Sequence, residues 1–283
     1  MDEPVLTYPV VKIQYEELDS FPLKYDEPFV LAVHWNGVPF EFLIRLRQTQ
    51  HLIVLGSGAM EKPEPLPYFQ RHSWMNEFED SVIYYNDPTL YLADLPVGWG
   101  QGTIDRFYLE DIATLLDKLI AKANISRDHV LFYGSSAGGF MGLMLAGYLR
   151  GSTALVNSPQ TSLTKWLDVP VRNVFRVSYP GYTFRQASVL HGERINVMKF
   201  YKKIKYVPKI YYLQNAACEL DMSDHLIPFL SELAFMEPGS TVNPVIVDLY
   251  YDPQPGPASF PRIGGHGAVG KLETIDYIRR VRP

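Results

Sequence analysis

The sequence predicts an α/β protein with a mostly parallel central sheet covered by helices, antiparallel strands at the N-terminus and a cap-like insertion. Three observations carry this expectation. Short apolar runs alternate with segments of helical period, as in strand–helix units that build parallel sheets. The runs are continuously apolar, which suits strands buried on both faces. An Asn-Gly pair, the dipeptide favoured in tight hairpins, separates two strand-like runs near the start of the chain.

The elements follow in order. Residues 1–50 read as an antiparallel hairpin region, "FVLAVHWNGVPFEFLIRLR", turning at Asn36-Gly37, where positive φ is needed. Buried strands follow at "LIVLGSG" (52–58), "SVIYYN" (81–86), "HVLFYG" (129–134), "STALVNS" (152–158), "KIYYLQN" (209–215) and "PVIVDLYY" (244–251). Segment 105–123 carries Leu109, Ile112, Ala113, Leu116, Leu119 and Ile120 at helical spacing. Further helices are expected over 137–149, 194–203, 223–235 and 270–280. Residues 160–200 break this rhythm with aromatics and arginines, and read as a cap inserted between two strands. No linker divides the chain, so 1–283 reads as one domain.

Composition excludes several classes. Hydrophobic residues make up 47% of the 283 and charged residues 20%, as in a folded globular chain rather than a disordered one. A net charge of −5 and the lack of a Lys/Arg-rich run argue against nucleic acid as a partner. The single cysteine, Cys218, excludes an internal disulfide and multi-cysteine metal sites, and no metal or cofactor is expected. The N-terminus is acidic, without a basic stretch leading into an apolar one, and no apolar run approaches the ~20 residues of a membrane span. The expectation is a cytoplasmic protein that does not cross a membrane.

The chemistry centres on "HVLFYGSSAGGFMGL" (129–143). Gly134-Ser135-Ser136-Ala137-Gly138 fits G-x-S-x-G with Ser136 as nucleophile, whereas Ser135 would need glycine where Tyr133 stands. Such a nucleophile sits on a strained strand-to-helix turn, and flanking glycines let strand and helix pass closely. The apolar strand before it and the small-residue helix after it supply the required context.

These residues resemble the α/β-hydrolase superfamily, from Leu52 to the end of the chain. The resemblance implies the order serine, acid, histidine. "PRIGGHGAVGKLE" puts His266 in a glycine-flanked loop after the last strand and before the last helix, where the family carries its general base. The family's acid falls at Cys218 in "QNAACELDMSDHLIPF". Glu219 is preferred as its substitute, for its reach, and Asp221 is second; Asp221 and Asp224 also suit the first turn of a helix. A Ser–His dyad stays open. The oxyanion hole is expected from the Ala137 amide and from Gly58 or Ala59 in the loop "GSGAM". Arg71, Trp74 and Trp99, with Tyr91 and Asp87, lie on loops after early strands and are candidate substrate-binding residues. His72 and His225 can approach the site but read more simply as surface or core groups.

The reading is a serine hydrolase cleaving an ester, an O-acetyl group on a glycan being one candidate, through an acyl-enzyme on Ser136. The loops are similar to those of bacterial surface-polysaccharide hydrolases and of accessory-secretion acetyltransferases, which implies a small-molecule or glycan acyl substrate. Three alternatives accompany it: acyl transfer to a sugar hydroxyl by the same residues, a catalytically inactive scaffold or binding protein that keeps the turn as architecture, and a peptidase. The peptidase ranks lower because no propeller or gating domain precedes the hydrolase region.

Overall fold

A computed structural model of the chain describes residues 8–256 and 261–283. The described residues hold eleven strands: β1 (Val10–Gln14), β2 (Phe29–Trp35), β3 (Val38–Arg45), β4 (Leu52–Gly56), β5 (Ser81–Tyr85), β6 (Val130–Ser135), β7 (Thr153–Asn157), β8 (Tyr206–Val207), β9 (Lys209–Asn215), β10 (Thr241–Val242) and β11 (Val245–Tyr250). Nine of them form one sheet in the order β1-β2-β3-β5-β4-β6-β7-β9-β11, while β8 and β10 pair separately. From β5 to β11 all neighbours are parallel. Strand β3 is antiparallel to both β2 and β5.

The N-terminal region differs from expectation in one respect. The Asn36-Gly37 hairpin forms, but β1 runs parallel to β2. The segment between them, residues 15–28, is long enough to recross the sheet edge, so β1 enters in the same direction as β2.

Among the described residues there are also eight α-helices: α1 (Tyr108–Lys122), α2 (Ala137–Tyr148), α3 (Asp168–Ser178), α4 (Phe184–Leu190), α5 (Gly192–Ile195), α6 (Val197–Ile204), α7 (Ile227–Leu233) and α8 (Lys271–Val281). Residues 160–200 hold α3, α4, α5 and the start of α6, with no β-strand among them.

Alternation along the strands sorts the core into two layers. Val54, Phe132 and Val156 face α1 and α2, while Ile53, Leu55, Leu131, Tyr133 and Leu155 face Ile275 and Ile278 of α8. Each such side chain, fully buried, contributes about 1.5–3 kcal/mol relative to exposure. Helix α2 is apolar all round because it is enclosed, packing on β4, β6 and β7 as well as on α1 and α6. That enclosure fixes the position of the turn that enters it.

Candidate active site

The turn between β6 and α2 is sharp. Ser136 stands there at φ 53°, ψ −122°, left-handed for a residue with a side chain, and such a conformation costs about 1–3 kcal/mol. The surroundings leave it no alternative. A Cβ at Gly134 would run into the Gly138 carbonyl, and one at Gly138 would stand 2.7 Å from the Gly56 carbonyl oxygen. Only glycine allows strand, helix and the neighbouring β4 end to approach so closely. The Ser136 amide donates to the Asn157 carbonyl at 3.1 Å, tying the turn to β7. Ser136 is partly exposed in an otherwise buried stretch, and Ala137, the first residue of α2, is buried.

Ser136 Oγ lies 2.9 Å from His266 Nε2, and His266 Nδ1 lies 2.7 Å from Asp221 Oδ2. With the imidazole N–H on Nδ1, the ring donates to the carboxylate and leaves Nε2 free to accept the serine proton. His266 follows a short 3-10 turn at Pro261–Ile263, and side chains from the sheet ends hold it. Asn215 Nδ2 donates to the Gly265 carbonyl at 2.9 Å, and Asn157 Oδ1 accepts from the Val269 amide at 2.8 Å. Tyr250 accepts from Asn157 Nδ2 and donates to the Gly267 carbonyl. The Trp166 ring packs against the imidazole, with centroids 4.5 Å apart and the planes tilted by 41°.

Of the two acids considered, the one beside His266 is Asp221. A helical segment begins at residue 219, passes through a π-turn over Asp221–Leu226 and continues as α7. Asp221, His225 and Phe229, four residues apart, point inward and are fully buried or nearly so. Glu219 falls on the outer side, where its carboxylate is 69% exposed and pairs with Arg262 Nε at 3.0 Å. Asp224 also faces Arg262, at 3.5 Å.

Cys218, where the resemblance leads one to expect the acid, is buried close to Asp221. Burial, reinforced by the Asp221 charge, pushes its thiol up to about 12. Cys218, Asp221 and His266 approach within 4.8 Å of one another, a spacing a metal ion can use, but a thiol held protonated opposes the thiolate that such a site needs. His225 is buried next to this cluster. Its Nδ1 accepts from the Thr161 amide at 3.2 Å, and burial pushes the imidazole down to about 4, so it is neutral.

The loop after β4 differs from the simple oxyanion expectation. The Gly58 amide donates to Gln70 Oε1 at 2.8 Å, and Ala59 is exposed. Arg71 lies beside this clasp: Nη1 donates to Gln70 Oε1 at 2.6 Å and Nη2 to Ser135 Oγ at 2.7 Å. Its guanidinium lies over the Trp74 and Tyr133 rings, 5.3 and 5.6 Å from their centroids. Trp99 is 1% exposed and does not face an open site; its indole N–H donates to Gln160 Oε1 at 3.1 Å. Asp87 is buried and accepts from the Thr89 and Gly100 amides, holding the Trp99 loop; burial raises its pKa. Tyr91 faces Glu41 on the surface, and His72 is buried, with Nδ1 3.0 Å from the Phe69 carbonyl.

Gln160 is absent from the sequence-based candidates. It is fully buried, its Oε1 is fixed by Trp99, and its Nε2 donates to Ser136 Oγ at 2.9 Å. The available signal was position: Gln160 is the third residue past β7, at the carboxyl edge of the sheet where β6 delivers Ser136.

No protein-family model matches the sequence, and no curated protein does. Solved structures do match in fold. The capsule O-acetyltransferase of Neisseria meningitidis serogroup A is 14% identical, with a TM-score of 0.61 over 87% of this chain and 94% of that one. S-formylglutathione hydrolase from Agrobacterium tumefaciens is 12% identical, with a TM-score of 0.57 over 92% of this chain and 96% of that one. Dipeptidyl peptidase 4 of Porphyromonas gingivalis is 10% identical, with a TM-score of 0.62 over 91% of this chain and 35% of that one. At such identities the likeness establishes the fold alone, and that fold is the α/β-hydrolase fold. Among the described residues, no helix is long and apolar enough to cross a membrane.

Proposed function

We propose that this α/β-hydrolase-fold chain is a serine-dependent acyl hydrolase acting on an ester, with Ser136, His266 and Asp221 as its catalytic residues. One observation carries the reading: the unbroken hydrogen-bonded chain from Ser136 Oγ through both imidazole nitrogens to a fully buried carboxylate. His266 Nε2 takes the Ser136 proton as Oγ bonds to the acyl carbon, and the carbonyl oxygen becomes an oxyanion. Asp221 holds the tautomer and stabilises the imidazolium. The Ala137 amide at the start of α2 is the first oxyanion donor; the Gly58 amide becomes the second only when Gln70 Oε1 releases it. The alcohol leaves with the proton from His266. Water, deprotonated by the same imidazole, then cleaves the acyl-enzyme and restores Ser136.

Transfer of the acyl group to a sugar hydroxyl is the second reading. It is favoured by the likeness to the capsule O-acetyltransferase, which extends over 94% of that chain. An O-acetylated glycan is the substrate of the first reading and the product of the second.

Fluorophosphonate labelling tests the proposal. The wild-type chain is expected to label at one serine, and Ser136→Ala to lose both the label and ester turnover, by on the order of 10⁴-fold or more. Undiminished labelling of Ser136→Ala would sink the reading, and a wild-type chain that does not label at all would leave the inactive-scaffold alternative. Adding sugar acceptors and measuring how the acyl group divides between water and acceptor separates hydrolysis from transfer.

A further inference from the structure

Among the described residues, the cation beside the nucleophile has no carboxylate to answer it. Arg71 makes its hydrogen bonds to two neutral oxygens, Gln70 Oε1 and Ser135 Oγ, and forms no ion pair among the described residues. A guanidinium carries five N–H donors, so donors remain after these two bonds. The group is partly buried, flanked by the Trp74 and Tyr133 rings, and joined directly to the residue preceding Ser136. Other cations of the fold have carboxylate partners, among them Arg262 with Glu219, Arg282 with Asp80 and Lys271 with Glu77, while Arg45 and Arg194 donate to main-chain carbonyls.

The backbone makes the choice of residue more pointed. Arg71 stands at φ 67°, ψ 17°, in the left-handed region. Glycine or asparagine adopts that conformation with less strain, so local folding preference does not call for arginine there. The side chain, not the turn, accounts for the residue.

The geometry points to an anion subsite: Arg71 receives a carboxylate or phosphate carried by the substrate next to its scissile ester. A planar guanidinium between aromatic walls suits such groups, because paired N–H donors match two oxygens of an anion in one plane. The inference rests on the proposed esterase reading and narrows it to acidic ester substrates, such as acyl esters of acidic sugars or dicarboxylate half-esters.

Four aryl esters of comparable leaving ability test the subsite: phenyl acetate, monophenyl succinate, 4-acetoxybenzoate and 4-acetoxyphenyl phosphate. They place no anion, a carboxylate on the acyl side, and a carboxylate or a phosphate on the leaving side. For the wild type, at least one anionic ester is expected to exceed phenyl acetate in kcat/KM by roughly 10–100-fold, mainly through KM. That ratio should fall toward one in Arg71→Asn, whose side chain tolerates the left-handed turn and should preserve the melting temperature, and recover in part in Arg71→Lys. An absent preference in the wild type, or a ratio that survives Arg71→Asn because all four esters slow together, overturns the subsite.

Titration with inorganic phosphate and with succinate, followed by isothermal calorimetry, gives a readout independent of turnover. Saturable binding that is lost in Arg71→Asn is expected, and its absence overturns the subsite. Failure of Ser136-dependent turnover with such binding intact counts against the esterase reading alone.

Discussion

Ser136 and His266 meet at 2.9 Å, yet opposite kinds of structure deliver them. Ser136 is placed by main chain: a strand buried at every residue, two glycines at van der Waals limits and an enclosed helix. His266 is placed by side chains: Asn157, Asn215 and Tyr250 reach out from the ends of β7, β9 and β11 to hold an irregular loop by its carbonyls and one amide. Main-chain placement is written into local sequence, because glycine spacing and apolar runs are read in order. Side-chain placement depends on residues far apart in the chain and becomes visible only in the fold. The nucleophile side is thus rigid by construction, whereas the histidine side depends on a few replaceable hydrogen bonds.

Substitutions can break this contrast, beginning with the acid. Asp221→Asn preserves shape but removes the charge that orients His266, and kcat for ester hydrolysis should fall on the order of 10⁴-fold, measured against unchanged far-UV circular dichroism. Asn215→Ala removes the donor to the Gly265 carbonyl and the acceptor for the Ala217 and Asp252 amides. It should lower kcat/KM by roughly 10–100-fold through misplacement of the imidazole, with fluorophosphonate labelling slowed but still confined to Ser136.

A smaller effect concerns acid stability. Burial holds the His225 imidazole neutral, at about 4, against the pull of Asp221 and Asp224 and with His266 and Lys165 opposing protonation. Its unfolded value is ~6.5, so the unfolded chain binds the proton first as pH falls, and stability is lost between ~6.5 and about 4 at up to about 1.4 kcal/mol per pH unit. In His225→Gln, which keeps an acceptor for the Thr161 amide, denaturation midpoints should decline less steeply across that range. The smallest effect is expected of Glu219→Gln, within about 2-fold of wild type in the assay used for Asp221→Asn, since an exposed pair with Arg262 contributes little. A large loss there would mean that the acid has been misassigned.

Much of the fold was legible. Strand positions from Leu52 onward and the helices α1, α2 and α8 follow from apolar runs and period, with ends displaced by a few residues. The direction of β1 was not legible, because pairing sense depends on where residues 15–28 travel and not on the composition of β1. In the site, register alone selects Ser136 over Ser135. The ranking of Glu219 above Asp221 came from side-chain reach, whereas helical phase decides which residue faces inward. The four-residue spacing of Asp221, His225 and Phe229 carried that phase, but the start of the helix had to be known to use it. Gln160 left no local trace, since a glutamine after a strand gains meaning only when Trp99 and Ser136 are found on either side of it.

Cys218 has a practical consequence. As the chain's single cysteine, fully buried and kept protonated in the folded state, it is shielded from thiol-directed reagents while the acid–histidine half of the site stays closed. Its reaction with such a reagent therefore keeps time for the opening of that half, and makes the thiol a stopwatch built into the region whose placement the local sequence leaves least determined.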